Sequence, residues 1–186
     1  MPTSFTHPAV PLAFGLALGS KRIPPRLLAA GVLASVAPDL DVISLHLGVA
    51  RGGEFAHRGA SHSLLAALAL ALVFAVLYRW YRAGFLTSFL FLFVAAASHA
   101  TLDAFTNGGP GVAFFWPWSG ARFFLSPQVI KVSPLSLTGL RTPRGAQVLL
   151  SELVWVWLPL MAAAILCAAL RRLKGGCAQK TYSHGK

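Results

Sequence analysis

Three long stretches of almost unbroken apolar residues constrain this chain more than any other feature of its sequence. They run from Leu64 to Tyr78, from Phe85 to Phe105 and from Val148 to Leu170. About 20 apolar residues cross the hydrocarbon core of a bilayer as a helix. Only 11% of the 186 residues are charged, whereas ordinary soluble domains have about 25%. The sequence therefore predicts an all-α membrane protein with three full-length spans.

Two shorter apolar segments, Pro8 to Ser20 and Leu27 to Ala37, precede these spans. A dozen residues make a helix of about 18 Å, which is shorter than a hydrocarbon core of about 30 Å. We therefore predict a helical hairpin that enters the bilayer, with the basic residues at 21–26 in its turn. The N-terminal residues lack the pattern of a removable signal peptide. The predicted fold is a small helical bundle of about five apolar helices.

The length of the chain is typical of one compact domain, and we expect a single integral membrane domain over residues 1–186. Its predicted segments are the hairpin (1–37), a polar loop (38–63), two spans (64–105), a long outer loop rich in Gly, Pro and aromatic residues (106–147), the last span (148–174) and a basic tail (175–186). We expect the last span to bend at Pro159 and to end at Arg171, Arg172 and Lys174.

The formal net charge of +11 comes from basic residues near the ends of apolar segments. The turns at 21–26 and 79–84 and the tail from 171 are short and basic, which predicts that they face the cytoplasm of a bacterial inner membrane. The N-terminus and the loops 38–63 and 106–147 then lie on the periplasmic face. Because such clusters favour contact with lipid headgroups, we expect membrane lipids as partners and no nucleic acid.

Because successive segments cross the membrane in alternating directions, most of the histidines and carboxylates are predicted to lie on one side of it. His99 and Asp103 are four residues apart, so they share one face of a helix, and a polar pair within an apolar span needs a reason. The convergent set is His7, Asp39, Asp41, His57, His62, His99, Asp103 and Glu152. The remaining histidines are His46, in the same outer loop, and His184, in the tail.

Each member of this set also has a purely structural interpretation. The Pro38–Asp41 segment could stop a helix with Asx-type caps, and the turn before Ser63 could cap the next helix through Ser61. His99 and Asp103 could simply pair with each other. Because separate segments all deliver such residues to one face, we favour a shared polar site.

Imidazole nitrogens and carboxylate oxygens are good ligands for zinc, manganese or iron. Cys167 lies in an apolar run and Cys177 in the tail, so a thiolate site is not indicated. We expect a divalent metal, with zinc ahead of manganese and iron. The set is large for one catalytic ion, so two bridged ions are the alternative to one. We rank His57, His62, His99 and Asp103 first as ligands, followed by Asp39 and Asp41 and then by His7.

Arg58 and Glu152 complete the predicted site as its catalytic residues. Arg58 lies beside two of the histidines and has a fork of donors that matches a phosphate group. Glu152 is predicted either as a general base or as a residue that orients a ligand. Metal-assisted hydrolysis is the reaction class that these residues favour.

At these residues the sequence resembles the YdjM-type bacterial membrane proteins, a family assigned as metal-dependent hydrolases. The shared elements are Thr6-His7, Pro38-Asp39-Leu40-Asp41, His57-Arg58-Gly59-Ala60-Ser61-His62-Ser63, Ser98-His99 with Asp103, Trp116-Pro117 and Glu152. Ser61 stands where the family usually has Thr, and it keeps the hydroxyl. The resemblance covers most of the chain. It implies an inner-membrane location, metal-dependent hydrolysis and, in some members, control by the LexA-regulated SOS response.

A site at the bilayer surface favours a phosphoester or lipid-linked substrate, and the aromatic residues of the outer loop are either an interfacial belt or a guide for acyl chains. The alternative function is a non-enzymatic membrane metal-binding scaffold or transporter. A transporter is expected to place ionisable residues near the membrane midplane, whereas here they gather at one face. A structural bundle with a hydrated polar end is the third alternative.

Overall fold

The computed structural model describes residues 1–43, 52–134 and 137–183, and this part of the chain consists of helices and loops without a β-strand. The predicted all-α class is therefore confirmed. His46 and His184 lie outside the described residues. The helices are α1 (Ala9–Leu18), α2 (Pro25–Val36), α3 (Leu64–Ala75), α4 (Tyr78–Tyr81), α5 (Phe85–Ala104), α6 (Leu137–Leu140), α7 (Pro143–Glu152) and α8 (Leu158–Ser183). Short 3-10 helices cover Ala37–Val42 and Ala60–His62, and a π-helical turn covers Leu153–Trp157.

Two segments of the described chain are long and apolar enough to cross a membrane, and they are α5 and Pro143–Lys174. α5 has 20 residues, which is about 30 Å of helix. The predicted third full-length span, and with it the count of five apolar helices, is not confirmed. α3 has 12 residues, about 18 Å, and the backbone leaves helical geometry at Leu77 (φ −82°, ψ 13°). Hydropathy alone does not reveal such a break inside an apolar run.

The last helical segment begins earlier than predicted. Its first residue is Pro143 rather than Val148, because Thr142 acts as the N-cap and accepts a hydrogen bond from the Gly145 N–H at 3.3 Å. Proline is favoured at this first position, since its fixed φ suits a helix and its missing N–H would have no partner there. The outer loop is correspondingly shorter.

The helix also continues past Lys174, where the last span was predicted to end. The helix widens into the π-helical turn just before Pro159, close to the predicted bend. It then continues through the basic residues at 171–174 as far as Ser183. Lys and Arg are good helix formers, so a basic cluster does not end a helix.

Small side chains let the central helices pack closely. α2, α3 and α5 meet at Ala34, Ala71 and Ala95, all of which are buried, and such small residues are typical of contacts between membrane helices. The fully buried Leu27 and Leu92 fill the space between them. α1 lies against α2, α5 and α8. This packing places one end of each of these helices at the same end of the bundle.

The outer loop folds over that end as a cap, which we define as residues 105–134. Two isolated bridges, Thr106 with Ile130 and Val112 with Phe123, fold the cap onto itself. The cap is joined to the segment before α3 by a hydrogen bond from the Ala113 N–H to the Arg58 carbonyl oxygen at 3.1 Å. The loops that were predicted to share one face therefore contact one another.

Candidate metal centre

Side chains with metal-ligand chemistry converge under the cap from four separate places. These are the residues before α1, the 3-10 helix after α2, the segment before α3 and the last turns of α5. They form two groups of three, and within each group one ligand atom per residue lies within 4.8 Å of the others. The first group is His7, His99 and Asp103, and the second group is Asp39, His57 and His62.

His62 and His99 join the two groups. Their Nε2 atoms lie 3.0 Å apart, and the Nε2 of His99 is also 3.3 Å from Asp39 Oδ1. The Nδ1 of His99 lies 2.7 Å from the carbonyl oxygen of Ser35. Because a carbonyl oxygen only accepts, Nδ1 donates this hydrogen bond, and in the neutral ring Nε2 is then the nitrogen with the lone pair. This orientation directs Nε2 towards the Nε2 of His62.

His7 is buried within the cluster, and neither of its ring nitrogens has a hydrogen-bond partner among the described residues. Its Nε2 is 3.9 Å from both Asp39 Oδ2 and Asp103 Oδ1, and its ring stacks on that of His99 with 3.7 Å between the centroids. Burial lowers the pKa of His7 to about 3. The ring is therefore neutral at physiological pH and keeps a lone pair for a ligand bond.

Asp41 holds the histidines of the second group from their outer nitrogens. Its carboxylate oxygens lie 2.6 Å from His57 Nδ1 and 3.1 Å from His62 Nδ1, and Ser61 also donates to it. Burial alone would raise the pKa of Asp41, but these hydrogen bonds lower it below its usual range. A carboxylate on the outer nitrogen of a histidine commonly supports a metal ligand, so the geometry favours an orienting role for Asp41.

The guanidinium of Arg58 is 1% exposed and lies beside Asp103. Its Nε is 2.9 Å from Asp103 Oδ2, an ion pair that is not aligned as a hydrogen bond. Its terminal nitrogens donate to Gly108 O at 2.9 Å and to Thr106 Oγ1 at 3.0 Å. Arg58 thus compensates the buried charge of Asp103, and these three contacts involve three of its five N–H donors.

A tight turn at Arg58 and Gly59 positions this guanidinium. Arg58 has a φ of 65°, in the left-handed region that few side chains adopt. A Cβ on Gly59 would lie 2.1 Å from the Glu54 carbonyl oxygen, so only glycine fits there. From the cap, a Cβ on Gly109 would lie 2.7 Å from a terminal nitrogen of Arg58. The His57-Arg58-Gly59 sequence is therefore needed for the shape of the turn as well as for its chemistry.

Glu152 lies outside both groups and anchors the N-terminal segment. Its carboxylate accepts hydrogen bonds from the Thr3 N–H (2.5 Å), the Thr3 hydroxyl (2.6 Å) and the Thr6 hydroxyl (2.7 Å). The Trp157 indole also donates to Thr6 at 3.1 Å. Because Thr6 directly precedes His7, the geometry favours the orienting role over the general-base role among the two predicted for Glu152.

We expect Glu152→Leu to lower the free energy of unfolding by at least about 2 kcal/mol, because hydrogen bonds to a charged group are worth about 1.5–3 kcal/mol each. Thermal unfolding in detergent measures the change. Gln147→Leu is the matched control, since Gln147 lies on the same helix and is exposed. Equal midpoints for the two variants would contradict the anchoring role.

Arg122 is a site residue that the sequence pattern did not reveal. It donates to the carbonyl oxygens of Gly53 at 2.8 Å, Arg58 at 3.1 Å and Gly111 at 3.3 Å. These bonds connect the cap to the turn that contains Arg58. The one indication in the sequence was a basic residue in a loop rich in Gly and Pro. Carbonyl groups in such a loop lack helix or strand partners, so they need hydrogen-bond donors from side chains.

A cavity of about 600 Å³ opens beside the cluster and is lined by His57, Arg58, Gly109, Pro110 and Arg144, among others. Its volume is within the range of small-molecule sites. The side chain of His57 is 13% exposed, whereas those of the three other clustered histidines are fully buried. The cavity therefore reaches the cluster at its most exposed histidine.

The cluster fits a divalent cation better than a closed hydrogen-bond network. Among the described residues, buried atoms without a hydrogen-bond partner include both ring nitrogens of His7, one oxygen of Asp39 and both carboxylate oxygens of Asp103. Buried polar atoms nearly always have partners, and an unsatisfied one costs about 1–3 kcal/mol. Nitrogen and oxygen donors without thiolates suit zinc, manganese or iron.

Comparison with known proteins points to the membrane. Residues 1–174 match the family model described as YdjM inner membrane protein. The chain is 54% identical over 160 residues to the inner membrane protein YbcI of Escherichia coli (strain K12), which covers 86% of this chain and 92% of that protein. No solved structure matches significantly. Both descriptions give a location, and neither names a reaction.

Proposed function

The chain belongs to the YdjM inner membrane protein family, and on that premise we propose that it is an integral membrane metal-dependent hydrolase. The two ligand groups hold one or two divalent ions, with zinc ahead of manganese and iron. The substrate is a phosphoester, either a lipid or a lipid-linked molecule, and it is hydrolysed at the membrane surface.

The observation that supports this proposal most strongly is a set of buried ring nitrogens and carboxylate oxygens that have no hydrogen-bond partner and lie around the paired Nε2 atoms of His62 and His99. A merely hydrated polar end would leave its donors in contact with water, yet His62, His99 and Asp103 are almost completely buried. A transporter would hold its ligands near the middle of the spans. Here they lie at the last turns of α5 and in the loops beside it.

The chain's own residues divide the work of binding and orientation. When bound, a divalent metal supplies Lewis acidity and lowers the pKa of water to near 7, which suits phosphoester hydrolysis. Asp41 and the Ser35 carbonyl hold the rings of His62 and His99 so that both Nε2 atoms face the same point. Arg58 balances the charge of Asp103 and presents its remaining N–H groups to the phosphoryl oxygens.

The proposed location is multi-pass, with the metal centre on the periplasmic face. The short basic turns and the tail then face the cytoplasm. Exposed aromatic side chains of the cap include Phe115 (50%) and Trp118 (79%), which suit the interface between headgroups and acyl chains. This position supports a substrate that the enzyme takes from the membrane.

Metal analysis combined with turnover tests the proposal. We expect protein purified in detergent without chelator to contain one or two zinc, manganese or iron ions per chain. It should hydrolyse a phosphodiester or a phospholipid, and chelator should remove this activity. Absence of bound metal would overturn the metal centre, and bound metal without turnover of any such ester would favour the scaffold instead.

The stability of the metal-free protein should depend on pH through His62. Burial by itself would lower the pKa of His62, but the neighbouring carboxylates of Asp103 and Asp41 raise it to about 9 from 6.5. A pKa raised on folding stabilises the fold fully below pH 6.5, and this contribution is lost as the pH rises through 9. We therefore expect the unfolding temperature of chelator-treated protein to decrease as the pH rises from 6.5 to 9.

Zinc should reverse that trend. Because a metal ligand must be deprotonated, stabilisation by added zinc should grow from pH 6.5 to 9. Thermal unfolding at a series of pH values, with and without chelate-buffered zinc, measures both effects. A metal-free midpoint that rises over this window would contradict the assignment of His62.

A further inference from the structure

A second cavity, of about 720 Å³, lies at the opposite end of the bundle from the metal centre. We call it the basal cavity. Its walls come from α1, the turn after α1, the link between α4 and α5, and the first half of α5. Gly84 lies at this end and His99 at the other, and the 15 residues between them correspond to about 22 Å of helix.

Three cations surround the mouth of the basal cavity. Lys21 and Arg22 come from the turn between α1 and α2, and Arg82 comes from the link before α5. Their side chains are exposed and make no hydrogen bond or ion pair with the described residues. The chain has five acidic residues, which are Asp39, Asp41, Glu54, Asp103 and Glu152. None of them lines this cavity, so no acidic side chain of its lining compensates the positive charge.

Behind the cations the cavity is apolar. Phe14 and Leu18 of α1 face Leu90 and Val94 of α5 across it. From Gly84, at the mouth, to Val94 is ten residues, or about 15 Å along α5. Half of a hydrocarbon core of about 30 Å is the same length, so the apolar part has the depth of one leaflet.

We propose that the basal cavity binds one anionic phospholipid. The phosphate lies between Lys21, Arg22 and Arg82, and one acyl chain lies along the apolar wall. α5 begins after Gly84, which provides no side-chain cap, so the free N–H groups of its first turn add to the attraction for an anion. Basic pockets at the ends of membrane helices are known sites for acidic headgroups. The proposal is independent of the proposed hydrolase activity.

Two other candidate ligands, a zwitterionic lipid and free phosphate, fit the basal cavity less well than an anionic lipid. A zwitterionic lipid has the same acyl chains, but its cationic headgroup would meet three uncompensated cations. Free phosphate would satisfy the cations but would leave the apolar depth unused. We therefore expect tighter binding of an anionic lipid than of either.

Native mass spectrometry of the full chain in detergent tests the proposal. Phosphatidylglycerol, phosphatidylcholine with the same acyl chains and inorganic phosphate are the three probes. We expect one phosphatidylglycerol to bind at least 10-fold more tightly than phosphatidylcholine. The triple variant Lys21→Gln, Arg22→Gln, Arg82→Gln should lose this preference. The matched control is Arg79→Gln, Arg172→Gln, Lys174→Gln, which removes the same charge from basic positions outside the cavity, and it should keep the preference.

A second variant tests the apolar part without changing the charge. Val94→Trp fills the cavity from α5 and should weaken phosphatidylglycerol binding at least 10-fold. Thermal unfolding in detergent serves as the check on folding, and both cavity variants should unfold at about the temperature of the unsubstituted protein. Equal affinity for the two lipids, equal loss in the control triple, or competition by inorganic phosphate at the same concentration as lipid would each overturn the proposal.

Discussion

His99→Ala is expected to remove bound metal and to lower phosphoester turnover more than 100-fold. The Nε2 of His99 lies 3.0 Å from His62 Nε2 and 3.3 Å from Asp39 Oδ1, and its ring stacks on His7. One substitution therefore disrupts both ligand groups. Loss of a partner outside the ligand shell already costs about 10–100-fold in affinity or activity, and loss of a ligand should cost more. Elemental analysis and single-substrate turnover measure the two effects.

Ser98→Ala is the matched control for this experiment. Ser98 is the neighbouring residue on α5, and its hydroxyl donates to the Ala95 carbonyl oxygen at 2.8 Å, away from the ligand atoms. We expect it to keep full metal content and at least half of the activity. If His99→Ala binds metal and hydrolyses substrate as well as Ser98→Ala does, His99 is not part of the mechanism.

Asp103→Leu is expected to destabilise the metal-free protein by about 3–5 kcal/mol, the usual cost of removing one partner from a buried ion pair. Asp103 is fully buried, and Arg58 beside it is 1% exposed. Without the carboxylate, the guanidinium would remain buried beside neutral groups. Thermal unfolding in detergent with chelator present isolates this effect from the loss of metal.

A double-mutant cycle shows whether the cost comes from the unpaired charge. We expect Arg58→Met combined with Asp103→Leu to be less destabilised than the sum of the two single variants by about 1–3 kcal/mol. Thr101→Val is the control on the same helix, because the Thr101 hydroxyl donates within the helix, to Ala97 O at 3.0 Å. Additive effects at positions 58 and 103 would contradict the ion pair.

The helical class followed from composition and apolar runs, whereas helix lengths did not. Leu64 to Tyr78 is apolar throughout, yet α3 ends at Ala75. Val148 looked like the start of the last span, yet the helix begins at Pro143 because Thr142 caps it. Hydropathy reports which residues leave water, but local caps and backbone geometry set where each helix starts and ends.

The members of the candidate site followed from the alternation of faces. His7, Asp39, His57, His62, His99 and Asp103 all stand near segment ends that this alternation puts on one side, and the structure brings them into two adjacent groups. The sequence contained no information about which side of each imidazole faces inward. That depends on contacts with residues distant in the chain, such as the bond from His99 to the Ser35 carbonyl oxygen.

The roles of individual residues were decided only by tertiary packing. Glu152 was predicted as a base or an orienting residue, and its bonds to Thr3 and Thr6, about 150 residues away, favour the second. Arg122 had no distinguishing sequence pattern, and only the fold of the cap places it against four carbonyl oxygens. Residue type and membrane side are properties of local sequence, so they can be read from the chain. Which lone pair meets which donor depends on ångström-scale distances between segments, and only the folded bundle sets these.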